Sequence, residues 1–381
     1  TSTTKYLLRN HNHRYGSKSN SRAAAASVDR MYIAFANDTS TEMSILFHTP
    51  TLPSSYMPMV KYSTTPNLHL PGNNYTLVSG GESQTYHKPT GDTHHVVLRN
   101  LEPGTRYYYT AGNEQHGFYE QEATFITAPL AKSARSNNAS YTMVIYGDLG
   151  IHNADNTITR VNSRIQSSLS KPNQYQMVFH VGDISYADVA SISEPKLEFE
   201  WVWNKWFDMI QPVAANAPYM VCPGNHEYNW PTKCPLYSFN FAVYNSVFRM
   251  PHHSIPKHMH NMWYSFDFAG IHFISISTET DYPKAPFPFP SVFGDQMTWF
   301  KQDLARAHAN RQVNPWIVVV GHRPIYSSHN RFSNNSAPIA DAKILQDSFE
   351  QLFHDYGVDM YIAGHVHSYE RTKPVYKGKV Y

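Results

Sequence analysis

Five short apolar segments in the second part of the chain each end in a glycine that is followed by Asp, Asn or His. Stretches with helical periodicity separate them, and the first of these carries Ile158, Val161, Ile165 and Leu169 on one face. Alternating strands and helices are typical of an α/β domain, so we expect mixed β-sheets sandwiched by helices. The predicted strands are 141–146, 177–181, 219–222, 316–320 and 360–363, with a hairpin over 263–268 and 272–277 and further helices over 197–210, 296–309 and 342–356.

The N-terminal part follows a different pattern. Between residues 28 and 130, short β-prone runs alternate with Asn, Pro and Gly turns, which predicts a β-sandwich. The segment 101–107 resembles the turn before a late strand of a fibronectin type III domain, where Tyr107 would pack back on the corner. Residues 1–27 are interpreted as a flexible tail, residues 131–140 as a linker and residues 141–381 as the second domain. The expected sandwich strands are 31–35, 43–47, 59–62, 95–98, 107–109 and 124–126.

Charge and hydropathy exclude several partners. The 31 basic and 29 acidic residues give a net charge of +2 with neutral histidines, which implies no polyanion-binding surface. A nucleic-acid partner is therefore not expected. No run of about 18 apolar residues is present, so no membrane span is expected either. The unusual count is 22 His, which indicates acid sensitivity or imidazole chemistry. The pairs His94–His95 and His252–His253 have no identifiable partner ligand and are expected at the surface.

Three tryptophans lie on the predicted helix 197–210. Because they are interleaved with Val202, Phe207 and Ile210, packing in the core or between domains is favoured over a carbohydrate-binding surface. They are Trp201, Trp203 and Trp206.

Cysteine and sequon positions agree with secretion. Cys222 and Cys234 could close one small loop, and a disulfide is favoured over two buried thiols in a secreted protein. Glycosylation would use the four N-x-[S/T] sequons, at Asn37, Asn74, Asn138 and Asn334.

The residues that follow the strand glycines form one set of metal donors. Side chains at the carboxyl ends of the strands converge on one rim of an α/β sheet. Two carboxylates, an amide, a phenol and three imidazoles exceed what one ion needs, which suggests a dinuclear site with a bridging Asp that performs hydrolysis. The candidates are Asp148, Asp183, Tyr186, Asn225, His322, His365 and His367.

The order GD, GDxxY, GNHE, GH and GHxH resembles the metallophosphoesterases, and the tyrosine in GDxxY is the mark of the purple acid phosphatases. Over residues 28–381 the chain resembles their two-domain, high-molecular-weight type, which has a fibronectin-III-like β-sandwich followed by an α/β metallophosphoesterase domain. The resemblance implies a ferric ion that makes the protein purple or pink, a divalent Zn, Fe or Mn ion, and Asp183 as the bridge. Asp148, Tyr186 and His367 would bind the ferric ion, and Asn225, His322 and His365 the divalent one.

Two histidines are candidate acids. His226 directly follows Asn225, where it could contact phosphate or protonate the leaving oxygen. His329, seven residues past His322, is a second candidate, although plant members of the family place their corresponding histidines slightly further along. Two arginines nearby could meet a phosphate oxygen, but the favoured interpretation is that they are solvated loop cations; they are Arg323 and Arg331.

The resemblance implies an acid phosphatase that hydrolyses small phosphate monoesters with a metal-bound hydroxide as nucleophile and a histidine as general acid. A secreted or lysosome- or vacuole-like location is expected. Two alternatives stay open: a phosphodiesterase or nucleotide pyrophosphatase on the same fold, and a non-catalytic adhesion or binding glycoprotein. Only fourteen residues follow His367, whereas family members continue with further strands, so a C-terminal fragment or a homodimer partner is expected to complete the second sheet.

Overall fold

The computed structural model describes residues 28–53, 55–85, 91–136, 140–152, 154–168, 176–189, 199–228, 241–252, 261–287, 293–328 and 338–381. The predicted tail, 1–27, lies outside these ranges, as do Leu169 and Cys234. The proposed disulfide therefore stays a prediction, and Cys222 is fully buried in its strand.

The N-terminal part is a sandwich of two antiparallel sheets whose strands share one apolar cluster. All six expected strands are present, and three short strands were missed. One sheet has the order β1-β2-β6-β5, and in the other β4-β3-β7-β8 are joined by β9 on β7. The strands are β1 Asp29–Phe35, β2 Met43–Thr49, β3 Met59–Ser63, β4 Thr76–Ser79, β5 Glu82–Gln84, β6 Asp92–Leu98, β7 Arg106–Asn113, β8 Gly117–Phe118 and β9 Ala123–Ile126.

The predicted corner is confirmed. The hydroxyl of Tyr107 accepts a hydrogen bond from the backbone N–H of Glu102 at 2.9 Å, so the ring packs back on the turn that precedes its own strand. The predicted linker begins with helix α1, Ala131–Ser136.

The second part holds two sheets that pack against each other. β10, β11 and β12 are parallel, whereas β13-β14-β15-β16 is mixed because only the hairpin β13–β14 is antiparallel. Phe179 of β11 lies 6.4 Å from the ring of Tyr264 at an interplanar angle of 4°, so aromatic side chains fill the space between the sheets. These strands are β10 Met143–Tyr146, β11 Met177–Val181, β12 Tyr219–Cys222, β13 Tyr264–Phe268, β14 Ile271–Ser275, β15 Trp316–Val320 and β16 Met360–Ile362, followed by the hairpin β17 Val375–Tyr376 and β18 Lys379–Val380.

Helices cover the outer faces, as expected for this fold class. Along β15 the side chains alternate: Val318 and Val320 join the cluster between the sheets, whereas Ile317 and Val319 join the cluster under the later helices. The helices are α2 Asp155–Ser168, α3 Phe199–Ala214, α4 Ala242–Val247, α5 Gln296–Ala309 and α6 Pro338–Leu345, which continues through a π turn, Gln346–Glu350, into α7 Gln351–Tyr356. In the described part of the chain, no helix is both long and apolar enough to cross a membrane.

Helix α3 lies between the sandwich and the second part. Trp203 and Trp206 are 1% and 0% exposed, as the packing interpretation expects. The ring of Phe207 stacks on Tyr32 of β1 at 5.2 Å, which ties the helix to the sandwich. The interpretation is wrong for Trp201, which is 47% exposed because it faces away from both neighbours.

The prediction that His94 and His95 lie at the surface is wrong, because they are 1% and 4% exposed. They are successive residues of β6, a strand between β2 and β5, so they point to opposite faces of a sheet that is covered on both sides. The ring nitrogens of His94 lie 2.8 Å from the hydroxyls of Thr49 and Ser83. On the other face, burial and the charge of Arg249 lower the pKa of His95 to about 3. His252 is half-buried, and His253 lies outside the described residues.

Candidate metal centre

All seven predicted ligands come together at the carboxyl ends of β10, β11, β12, β15 and β16. Two groups of donor atoms, each within 4.8 Å of one another, share Asp183. One consists of Asp148, Asp183 and His367, and the other of Asp183, His322 and His365. Tyr186 adds its hydroxyl oxygen to the first group, and Asn225 adds its side-chain oxygen to the second.

The first group surrounds the hydroxyl of Tyr186. This oxygen lies 3.3 Å from carboxylate oxygens of both Asp148 and Asp183, and 2.8 Å from Nε2 of His367. His367 Nε2 is in turn 3.2 Å from Asp148 Oδ1. Burial and the charges of Asp183 and Asp148 raise the pKa of Tyr186, so the phenol is neutral unless a strong cation compensates.

The second group is built on His322, which is fully buried. Its Nδ1–H donates to the carbonyl of Val181 at 2.8 Å, which leaves the lone pair of Nε2 facing the site. That nitrogen lies 3.1 Å from Asp183 Oδ2, 3.3 Å from Asn225 Oδ1 and 3.2 Å from Nδ1 of His365.

Glu227 holds the loop of Asp183 in place. The carboxylate is fully buried and accepts three backbone N–H bonds, from Asp183 at 2.9 Å, Ile184 at 2.8 Å and Gly224 at 2.9 Å. The sequence contains this residue in GNHE, but nothing in the pattern assigned it a role. A carboxylate with three such donors fixes two ligand loops relative to each other.

Five of the predicted ligands have a left-handed backbone. The φ angles are 57° at Asp148, 51° at Asp183, 55° at Tyr186, 71° at His365 and 54° at His367. Such angles are uncommon outside glycine and persist only where the surroundings impose them. Strain concentrated on these residues marks the rim as a functional site.

Two of the glycines before the predicted ligands make room for a predicted ligand that follows a strand of the other sheet. A Cβ on Gly182 would lie 2.5 Å from Nδ1 of His322, and one on Gly364 would lie 2.5 Å from Oδ2 of Asp148. The glycine-ligand pairs in the sequence therefore reflect how closely the strand ends approach one another.

His226 is oriented by a residue that the sequence analysis missed. Its Nδ1–H donates to Asp188 Oδ2 at 2.8 Å, and its Nε2 lies 3.8 Å from Asp183 Oδ2. Burial opposes the charged form, but the hydrogen bond to Asp188 and the charge of Asp183 prevail and raise the pKa of His226 to about 9. The signal for Asp188 was its place two residues after Tyr186 on the same turn.

Arg323 is not a solvated cation, so that interpretation is wrong. Its side chain is 9% exposed and pairs with the fully buried carboxylate of Glu279, which no sequence pattern indicated. His329 and Arg331 lie outside the described residues, and the role of His329 stays a prediction.

The donor set fits two metal ions. Acceptor atoms of two carboxylates, a phenol, an amide and imidazoles converge within hydrogen-bond distance of one another, an arrangement that cations would stabilise. The Tyr186 side offers three oxygens and one nitrogen, whereas the His322 side offers two oxygens and two nitrogens, which suits a harder and a softer ion.

Two family models match the chain. Residues 90–369 match the model described as calcineurin-like phosphoesterase, and residues 28–127 match the N-terminal domain of purple acid phosphatases. Purple acid phosphatase 18 of Arabidopsis thaliana is 29% identical over 92% of this chain and 68% of its own length. Human acid phosphatase type 7 is 32% identical over 76% of this chain and 58% of its own length. The chain thus spans about three-fifths to two-thirds of these relatives.

Solved structures support the fold. A purple acid phosphatase from yellow lupin seeds matches with a TM-score of 0.69 and 22% identity, covering 93% of this chain and 61% of that one. The structure of PhoD matches with a TM-score of 0.57 and 12% identity over 92% of this chain and 73% of its own. At these identities the likeness concerns the arrangement of strands and helices alone.

Proposed function

The chain belongs to the calcineurin-like phosphoesterase family and, within it, to the purple acid phosphatases, and on that basis we propose that it hydrolyses phosphate monoesters at acidic pH. The observation that carries the proposal is the pair of donor groups that share Asp183. One carboxylate between two clusters is what a bridged pair of metal ions requires.

The two clusters differ in the ions they suit. Asp148, Tyr186 and His367 would hold a ferric ion, because its charge would offset the negative surroundings that keep the Tyr186 phenol neutral. The second group would hold a divalent Zn, Fe or Mn ion; its residues are Asn225, His322 and His365. When bound, the two ions supply an activated water and neutralise charge on the phosphoryl group.

His226 is proposed as the general acid. The carboxylate of Asp188 fixes the ring by its bond to Nδ1, so Nε2 is the nitrogen directed toward the shared Asp183. The ring also lies against Tyr186, with centroids 4.3 Å apart, which restricts rotation. A held imidazole beside the reacting phosphate can protonate the departing oxygen.

Metal analysis combined with a visible spectrum and two substrates tests this function. We expect two metal ions per chain, a phenolate-to-iron absorption band, and faster hydrolysis of p-nitrophenyl phosphate than of bis(p-nitrophenyl) phosphate at acidic pH. Asp183→Asn should lose both metal and activity. Asp347→Asn is the control, because that carboxylate is 57% exposed and pairs only with Lys343 in the described part of the chain.

Other outcomes would replace the proposal. Faster turnover of the diester would identify a phosphodiesterase of the same fold. Bound metal without turnover of either substrate would favour the binding glycoprotein. Hydrolysis that persists after Asp183→Asn has removed the metal would place the active site elsewhere.

A secreted or lysosome- or vacuole-like location is part of the proposal, and the sequons allow a test. Asn74 is exposed, whereas the Asn37 side chain accepts a hydrogen bond from the backbone N–H of His252 at 2.8 Å. Thr39, which belongs to the sequon of Asn37, is 6% exposed, and its hydroxyl donates to the carbonyl of Asp267. Expression in a secretory host followed by glycosidase treatment and peptide mapping should therefore find a glycan on Asn74 and none on Asn37.

A further inference from the structure

Strand β4 forms one outer edge of the sandwich. It pairs with β3 on one side, and no other described strand pairs with it in the order β4-β3-β7-β8. Its side chains alternate, since Val78 packs against the apolar core whereas Leu77 points outward and is 37% exposed. Tyr75, just before the strand, is 43% exposed. Unpaired backbone groups beside exposed apolar side chains are a template for pairing with another chain.

The sequence around β4 lacks the charges that usually protect such an edge. Residues 62–81 contain no Asp, Glu, Lys or Arg. Within them, residues 75–79 combine high β-propensity and apolar side chains without a proline, which is the composition of an aggregation-prone segment. The outer strands of the other sheet are charged, because β1 carries Asp29 and Arg30 and β5 carries Glu82.

The one charged residue of β3 does not protect the edge either. Lys61 lies opposite Leu77 in the register of β3 and β4. Its ammonium, however, is 3.8 Å from the ring centroid of Phe118 on β8 and 4.9 Å from that of Tyr75. Because β8 lies on the far side of β3 from β4, the charge is directed across the outer face and away from the edge. Protection of β4 therefore requires a group of another kind.

A glycosylation sequon lies at the start of this edge. Asn74, Tyr75 and Thr76 form the N-x-T sequence, and Thr76 is the first residue of β4. The Asn74 side chain is exposed. Its neighbour Asn73 holds the preceding turn, because its Nδ2 donates to two carbonyls of that turn at 2.8 and 3.3 Å. A glycan on Asn74 would be a bulky, hydrophilic group at a fixed place beside β4.

We propose that an N-linked glycan on Asn74 shields the β4 edge and prevents copies of this chain from associating through it. The inference rests on the secreted or lysosome- or vacuole-like location that is part of the proposed function, because N-glycosylation is a property of secreted proteins. The glycan replaces the charged residue that other edge strands carry. Tyr75 and Leu77 are the side chains that it covers, and it has no part in catalysis.

Sequon variants of the full chain, produced in one secretory host, test the shield. Asn74→Gln and Thr76→Ala both remove the sequon, whereas Thr76→Ser is the matched control that keeps it. Sedimentation velocity over a range of protein concentrations should show self-association about 10- to 100-fold stronger in the two sequon-free variants, the range for burying one exposed apolar side chain. Thr76→Ser should match wild type, and all three variants should keep the metal content and KM of wild type.

A second change separates protection of the edge from a general need for the glycan in folding. Leu77→Glu places a charge on the outer face of β4, opposite Lys61, where the two side chains can pair. Combined with Asn74→Gln, it should return self-association to the wild-type level without a glycan. If the sequon-free variants are not secreted, restored secretion in this double variant supports the shield, and continued retention overturns it.

Three further results would overturn the shield: an unoccupied Asn74 in peptide mapping of the secreted wild type, equal association of the glycosylated and sequon-free proteins, or association that Leu77→Glu does not reduce. The first result would also count against the proposed location. The other two, obtained with a glycan on wild-type Asn74, would leave that location intact. Hydrolysis of p-nitrophenyl phosphate by the same proteins shows separately whether the proposed phosphatase function holds.

Discussion

Replacing Gly182 by alanine should displace His322 from its place in the metal centre. Gly182 has a φ of +81°, and an added Cβ would lie 2.5 Å from Nδ1 of His322. That nitrogen donates to the carbonyl of Val181 at 2.8 Å, and the imidazole is fully buried and cannot move into solvent. The substitution therefore strains the backbone and breaks a buried hydrogen bond.

The two costs can be separated. A left-handed non-glycine residue costs about 1 to 2 kcal/mol, and a buried hydrogen bond left unsatisfied costs about 1 to 3 kcal/mol. Gly378→Ala isolates the first cost, because Gly378 has a φ of +71° and nothing lies within 4 Å of the added Cβ. Gly182→Ala should thus be less stable than Gly378→Ala by about 1 to 3 kcal/mol.

Urea unfolding of the metal-free variants measures this difference, and metal titration of the folded proteins measures its consequence. Because the Val181 bond sets which nitrogen of His322 faces the site, Gly182→Ala should weaken metal affinity about 10- to 100-fold. Gly378→Ala should leave it unchanged. Equal destabilisation of the two variants, or equal metal affinity, would refute the idea that Gly182 is needed for the close approach of His322.

Three further changes address other parts of the molecule. Asp188→Ala should lower kcat about 10- to 100-fold by freeing the ring of His226, with a larger loss for an alkyl phosphate than for p-nitrophenyl phosphate; equal losses would contradict an acid role. His272 donates to carboxylates at 2.6 and 3.0 Å, and although burial opposes the charge, these bonds raise its pKa to about 9. Because the pKa of His272 is higher in the folded than in the unfolded chain, wild type should exceed His272→Gln in free energy of unfolding, and the difference should be full below about pH 6.5. As the pH rises through 9, the difference measured by urea unfolding should shrink by roughly 3 kcal/mol. A difference that stays constant with pH would contradict this role of His272. Trp206→Ala empties a fully buried site and should cost about 3 to 5 kcal/mol in the same assay, and a loss below about 1 kcal/mol would show that the helix between the domains repacks.

The predicted ligands could be placed at strand ends because the apolar runs in the sequence show where the strands finish. Asp148 and His367 are separated by most of the second domain in sequence, yet their side-chain atoms lie 3.2 Å apart. The apolar runs predicted the strands, and parallel strands bring their carboxyl ends to one rim. Because β10 and β16 belong to different sheets, the closeness of Asp148 and His367 also depends on how the two sheets pack, which the strand pattern did not predict.

Residues that support the ligands could not be predicted in the same way. Glu279 lies in a loop after β14, and its pairing with Arg323 depends on the path of that loop, which no periodicity describes. Asp188 meets His226 for a similar reason, through a turn rather than a strand. Charge alone suggested that Arg323 was a solvated cation, whereas its side chain is 9% exposed and pairs with the fully buried Glu279.

The burial of the histidine pair in β6 was predicted wrongly because this strand is covered on both faces. His94 and His95 look like surface residues because both are polar and adjacent, but a strand covered on both faces buries successive side chains. The strands β4 and β5 were missed for a different reason. They are short and contain no buried residue, so they lack the alternation of apolar residues that marks a half-buried strand.

The arrangement around Asp183 explains why the strained ligands persist. A left-handed angle at Asp183 is unfavourable by itself, but Glu227 binds the backbone N–H of that residue, of Ile184 and of Gly224 at once. The same carboxylate therefore orders the loop that carries Asp183 and the loop that carries Asn225. Because these bonds involve only the chain, the position of Asp183, the proposed bridge, is set by the fold, and the cost of ordering it is met on folding rather than on metal binding.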